Sequence, residues 1–307
     1  MKKVLFFLAV LCICTVSCTK EKTDYEAELE TSIPEYGDFE EAYTVTSGNY
    51  KVSIEALNGQ LYHGYNDIRL KISSSTGEIV DVSEVTFLPI MNAADGRTVS
   101  CPHPYITTYM ADGNYYSGYS VFTAVSSASQ TWDLYIGFKV AGQVHRVKSS
   151  IAVYDQKNKN LNMTAFVGND GEQYYIALVS PQNPKVGENE LIAGIYTYNR
   201  PTSLPSDEFP DASQFSYSQV EGYTLRLDPR MPEPSMGNHS SPNNKDLTQG
   251  ADGMYRGVVN YTMTGNWTLN FMLIDPKGEI LKGTEVPMDH SPGVVGEKSE
   301  LYIDILF

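Results

Sequence analysis

An internal repeat constrains this chain more than any other feature of its sequence. Shifting the 307 residues by 140 aligns Pro89 with Pro229, Met91 with Met231, Ser100 with Ser240 and Pro102 with Pro242. Thr108 then meets Thr248, and Ala111-Asp112-Gly113 meets Ala251-Asp252-Gly253, all without a gap. After one residue of slip, Tyr116-Ser117-Gly118 pairs with Tyr255-Arg256-Gly257 and Phe122-Thr123 with Tyr261-Thr262. The only two tryptophans, Trp132 and Trp267, follow at matching places. Upstream, Gly64-Tyr65-Asn66-Asp67-Ile68 pairs with Gly187-Glu188-Asn189-Glu190-Leu191, and downstream Lys148-Ser149 is paired with Lys298-Ser299. The shared order of these features reads as two copies of one domain.

Each copy reads as strands. Trp267, Leu269, Phe271 and Leu273 alternate with Thr268, Asn270 and Met272, and Leu134, Ile136, Phe138 and Val140 repeat the pattern in the first copy. A period of two with one apolar face is that of a half-buried strand. Tyr (22) and Gly (24) are abundant, and both suit strands and turns better than helical bundles. About seven short strands in roughly 100 residues, around a core tryptophan, predict an antiparallel β-sandwich. The fold expected is therefore all-β, two tandem immunoglobulin-like sandwiches of residues 46–156 and 160–307. The polar run Gln156 to Asn160 is placed as the boundary, each half is expected to fold independently, and Arg200 to Gln219 is an insertion of the second copy only.

Ahead of the sandwiches, Met1-Lys2-Lys3, an apolar run from Val4 to Ile13, and Thr15-Val16-Ser17-Cys18 match a lipoprotein signal peptide of residues 1–17. Cys18 is then the lipidated residue, and residues 18–45 form an acidic tether. Acyl chains would anchor the chain to a membrane with no transmembrane helix, each buried CH₂ contributing about 0.8 kcal/mol. The expected location is the cell envelope of a Gram-negative bacterium, on the periplasmic side or the outer surface. Cys12 and Cys14 leave with the signal, so Cys101 stands alone and makes no intramolecular disulfide. The net charge of −15 repels phosphate backbones and argues against a nucleic-acid partner.

The copies differ in one place that carries chemistry. Where the second has Met231, Met236, His239 and Met263, the first keeps Met91 but has Gly96, Val99 and Ala124. Six of the nine methionines after the signal fall between Met231 and Met288. Thioether sulfur with imidazole nitrogen suits copper, and sulfur favours Cu(I). Methionine on a strand also serves as core filler. Met288-Asp289-His290 could add a further thioether and imidazole or could form a turn before Pro292.

The run Met-x₄-Met-x₂-His, then Gly-x-Tyr, then Met-x-Gly-x-Trp resembles the YtkA-like domain family, related to FixH-like and CopC-like copper proteins of immunoglobulin type. The resemblance implies a β-sandwich and copper binding or delivery outside a membrane, with Met231, Met236, His239 and Met263 as ligands and a copper-handling envelope protein as partner. No nucleophile elbow, zinc-protease motif, phosphate loop or dinucleotide fingerprint occurs, so a non-enzymatic binding protein is expected. The alternatives are a cell-surface adhesin or glycan-binding lipoprotein using Tyr115-Tyr116, Tyr174-Tyr175 and Tyr196 with Tyr198 as stacking platforms, or a structural subunit of an envelope complex.

Overall fold

The computed structural model describes residues 37–204, 209–288 and 293–306. The signal peptide, Cys18, most of the tether, Asp289 and His290 lie outside them. The first sandwich contains strands β1 (Phe39–Ser47), β2 (Tyr50–Leu57), β3 (Gly64–Ser74), β4 (Ser83–Ala93), β5 (Tyr115–Phe122), β6 (Gln130–Val140) and β7 (Gln143–Ile151). The second contains β8 (Met163–Val167), β9 (Gln173–Ser180), β10 (Gly187–Tyr198), β11 (Thr224–Met231), β12 (Tyr255–Tyr261), β13 (Asn266–Ile274) and β14 (Leu301–Leu306). The protein is an all-β, antiparallel sandwich fold, as expected.

In the first sandwich one sheet runs β1-β2-β3-β5 and ends on Thr108–Met110, and the other runs β7-β6-β4 and ends on Thr98–Val99. The second sandwich has the same neighbours: β8-β9-β10-β12 with Lys245–Gln249, and β14-β13-β11 with His239–Ser240. Registers coincide as well. Gly64 faces Phe122 and Gly187 faces Tyr261; Pro89 faces Leu134 and Pro229 faces Leu269; Met91 faces Val99 and Met231 faces His239. Within each sandwich the second and third strands adjoin in one sheet, whereas immunoglobulin constant domains send the third to the opposite sheet.

Matching residues do matching work. Asn66 accepts from the Tyr62 amide and donates to the Tyr62 and Gly64 carbonyls, while Asn189 does the same with Lys185 and Gly187. Each amide side chain holds the turn that starts a long strand. One pairing made from sequence fails. Ser149 faces Leu134, but Ile303 faces Leu269, so Lys148-Ser149 and Lys298-Ser299 are offset by four residues.

The outer face of β13 also departs from the alternation read in its sequence. Thr268, Asn270 and Met272 are as buried as Trp267 and Leu269. The long connection from β13 to β14 folds back over them, and Asn270 accepts from the Ser299 amide at 2.8 Å. Polar residues can be buried there because each finds a partner.

Three corrections concern the edges and the boundary. Strand β1 begins at Phe39, so the last residues assigned to the tether are structured, and Glu41 accepts from Ser53 Oγ at 2.6 Å. That bond holds the Glu41 carboxyl well below the usual carboxylate range. The run Gln156–Asn160 is a pinned seam rather than a solvated linker. Gln156 donates to His63 O at 2.7 Å and accepts from the Leu161 amide at 2.9 Å, and Asn160 donates to Gln182 O. Gly64 is required beside it: at φ +97° a Cβ there would strike Leu161 O.

The third correction is to independence. Each sandwich has its own core, but a third cluster takes Leu57, Tyr65 and Val121 from the first and Leu161, Met163, Ala177 and Tyr196 from the second. Residues 209–219 add a strap across the seam. Phe209 packs edge-on to Tyr135 at 5.3 Å, and Tyr217 donates to Ser100 O at 2.7 Å.

His103 is buried beside this strap, its ring 6.3 Å from that of Tyr217, with Nδ1 2.7 Å from Cys101 O. Burial lowers its pKa to about 4. The unfolded chain then binds the proton more readily than the folded one between pH 6.5 and 4. Stability is full above pH 6.5 and falls as pH drops through that window, by about 3 kcal/mol. Urea unfolding of wild type and His103→Gln at each pH should diverge across that window; parallel profiles would contradict the assignment.

Candidate metal site

Met231 ends β11, and the turn of residues 232–238 brings the chain back so that His239 faces it. Backbone bonds from the Met236 and Gly237 amides to Glu233 O, and from the His239 amide to Met236 O, set that turn. Met263 lies in the tight turn between β12 and β13, where its carbonyl accepts from the Trp267 indole at 3.0 Å. A Cβ at Gly265 would come within 3.0 Å of Met231 Cε, so the glycine makes room for that methyl.

Of the four expected ligands, Met231 thus faces His239, whose ring is near Trp267, and Met263 lies in the turn before Trp267, while Met236 packs on the same core. Met231 is buried within the core; Met236 and Met263 pack against it, half-buried. The His239 ring stands 6.3 Å from that of Trp267, and its Nε2 is 2.9 Å from Thr262 Oγ1. An ion bound at His239 would therefore use Nδ1 or displace Thr262. Among the described residues no three of His, Cys, Asp and Glu form a metal-holding group. Three thioethers and an imidazole are a softer donor set, and their apolar surroundings suit a singly charged soft ion better than a hard divalent one.

The remaining methionines are elsewhere. Met288 is 73% exposed and accepts from Arg230 Nη2 at 3.0 Å, on the outer face of β11, opposite to Met231. Met254 accepts from Gln219 Nε2 at 3.7 Å, and Met272 lies under the β13–β14 connection. In the first sandwich the same frame keeps one of the four donors, Met91 at the position of Met231; Val99 occupies the position of His239, and the Trp132 indole donates to Ala124 O at 2.9 Å.

Two features of the site escaped the sequence. Thr262 as partner of His239 required the third dimension. Glu233 Oε2 and Asn238 Oδ1 are buried in the same turn without a partner among the described residues. Nothing in a Pro-flanked polar loop signals buried oxygens.

The tyrosines considered as platforms are largely committed inside the protein. Tyr174 and Tyr196 are buried, and Tyr175 and Tyr198 pack on Tyr217 at 5.5 and 5.4 Å. Cys101 is buried too, with its thiol pushed up to about 12 by desolvation, which makes it inert as a nucleophile.

No protein-family model matches the sequence, and no curated protein matches it. Among solved structures the chain is similar to a DUF4785 family protein from Legionella pneumophila, at 10% identity and a TM-score of 0.24. The match covers 76% of this chain and 55% of that one, so the chain spans about half the length of that relative. It is also similar to a conserved domain protein from Bacillus anthracis, at 14% identity and a TM-score of 0.26, over 92% and 93% of the two chains.

Proposed function

We propose that this chain is a non-enzymatic binding lipoprotein of the bacterial cell envelope. In this reading it is anchored through Cys18, consists of two tandem copies of one domain, and holds one Cu(I) in the second. The observation that supports it is that Met231 faces His239, with the His239 ring near Trp267 and Met263 in the turn before that tryptophan, while Met236 packs on the same core. A first sandwich with the same frame, which keeps Met91 but has Val99 and Ala124 for His239 and Met263, supports reading those donors as a local addition rather than a demand of the fold. Copper would supply only its own coordination chemistry here. Met236, His239 and Met263 would bind it from the partly exposed rim and Met231 from the buried side, where the core would keep water out. Lipid anchoring is supported by the sequence before Thr19. Among the described residues no helix is long and apolar enough to cross a membrane, which leaves strand-built spans unaddressed. The YtkA-like resemblance and a copper-handling envelope partner belong to the same proposal.

Competition of the chain from Thr19 onward against a chromophoric Cu(I) chelator tests it. One Cu(I) per chain is expected, with quenching of Trp267 fluorescence. The Met236→Ala/His239→Ala variant should bind roughly a hundredfold more weakly, about 2.7 kcal/mol. Unchanged affinity in that variant would overturn the site.

A further inference from the structure

The first sandwich carries an open groove where the second is closed. In the second, Lys245–Gln249 pairs with β12 on one side and with β11 on the other, through Thr224 to Thr248 and Leu225 to Leu247. In the first, Thr108–Met110 pairs only with β5. Contact with β4 shrinks to the single bridge from Thr86 to Ile106, because β4 shifts register between Ser83 and Thr86 and Glu84 adopts φ +50°. The parted edges leave a groove of about 700 Å³ walled by Ile79, Val80, Val82, Ile106, Tyr109 and Tyr116.

Its surface is apolar where it need not be. Ile79 is 76% exposed, Ile106 69% and Tyr109 52%, and Met110 is exposed beside them. With the same offset of 140, Tyr105, Ile106, Tyr109 and Met110 correspond to Lys245, Asp246, Gln249 and Gly250. The second sandwich thus shows that this edge tolerates polar side chains. A contiguous exposed apolar strip beside a strand paired on one side marks an interaction site.

We propose that this groove takes an extended polypeptide segment of another protein, apolar at alternate positions and basic between them, added as a strand to Thr108–Met110. The strand edge supplies main-chain hydrogen bonds and the groove accepts every second side chain, as in strand addition generally. Charge sets the intervening positions. Asp81 and Glu84 stand on the rim, Glu84 is paired with Lys139, no cation lines the groove among the described residues, and the chain carries −15 overall. That charge also opposes a second copy of this chain, or an anionic lipid, as the occupant.

The test uses the chain from Thr19 onward and arrayed twelve-residue peptides. These alternate Val, Ile or Tyr with Lys or Arg in one set, and with Glu in the other. Saturable binding of the basic set is expected, together with slowed exchange of the Tyr109 amide, which faces away from β5 on the side that the Thr107 amide takes toward Val85. An Ile106→Asp/Tyr109→Gln variant, which installs the residues of the second sandwich, should keep the wild-type melting temperature and lose at least tenfold in affinity. Four results overturn the proposal: no saturable binding, equal binding of the acidic set, equal binding by a variant that melts as wild type, or binding without protection of the Tyr109 amide. Wild-type dimers that the variant abolishes would assign the groove to a second copy, and saturable uptake of dodecanoate in place of peptide would assign it to an acyl chain; either also overturns it.

Discussion

Truncating Trp267 to alanine is expected to cost about 3–5 kcal/mol of stability, as is truncating Trp132. Both indoles are fully buried at the centre of their own cores. Each donates to a carbonyl in the turn before its strand, Met263 O for Trp267 and Ala124 O for Trp132. Each also packs on the last aromatic of the preceding strand: Tyr261 at 5.4 Å in one case, Phe122 at 4.9 Å in the other. The variant therefore loses buried area, an aromatic contact and the partner of a carbonyl together. Against a typical domain margin of about 5–15 kcal/mol, the loss would leave the protein close to unfolding. Trp→Phe keeps much of the volume and should cost less. Urea unfolding of the full chain is the measurement; a Trp132→Ala midpoint equal to wild type would refute the packing role, since Met91 alone of the four candidate donors has a counterpart beside that residue.

Dividing the chain at Asn158 should leave neither half as stable as it is in the intact protein. The sequence alone points to two independent folding units, and the strands do segregate on either side of Gln156. Their cores do not fully segregate. Separation strips the partners from Leu57, Tyr65 and Val121 in one half and from Leu161, Met163 and Tyr196 in the other. Re-exposing such side chains costs roughly 1.5–3 kcal/mol each, an upper range because a freed surface relaxes. The backbone bond from the Leu306 amide to Asn158 O is also cut off or exposed at the new terminus. The intact chain should melt in one transition, and the halves should melt lower or not cooperatively. Two fragments that each reproduce the intact melting temperature would restore the independent-domain reading.

These two cases show what the sequence makes legible. Period-two alternation located β6 and β13 because one face of each meets a core built from nearby strands. It misread the other face of β13, since Thr268 and Asn270 are buried by partners supplied at Asp304 and Ser299, about thirty residues on. Polarity misled in the same way at Gln156 and Asn160, which are held by His63 and Gln182. A polar side chain reads as solvated until its distant acceptor is known. The candidate metal residues were legible as a difference between two aligned segments, and the facing of Met231 and His239 follows from a register that both sandwiches share. Thr262 beside His239 was invisible because its role depends on the turn before β13.

On the last two strands of each sandwich, one carboxylate–hydroxyl pair appears with its ends exchanged. Asp133 on β6 accepts from Ser150 on β7 at 2.7 Å, with Lys148 on the carboxylate; on β13 it is Thr268 that donates, to Asp304 on β14 at 2.6 Å, with Lys298 on the carboxylate. Ser150 faces Asp133 and Asp304 faces Thr268, so the two pairs occupy the same rung. Under the proposed duplication, exchange of sequence between the two halves would therefore be tolerated only in whole-sandwich lengths. A crossover that carries a whole sandwich keeps one acid and one hydroxyl on the rung. A conversion tract ending between these strands leaves either two acids face to face with one lysine, or two hydroxyls beneath a lysine with no counter-ion.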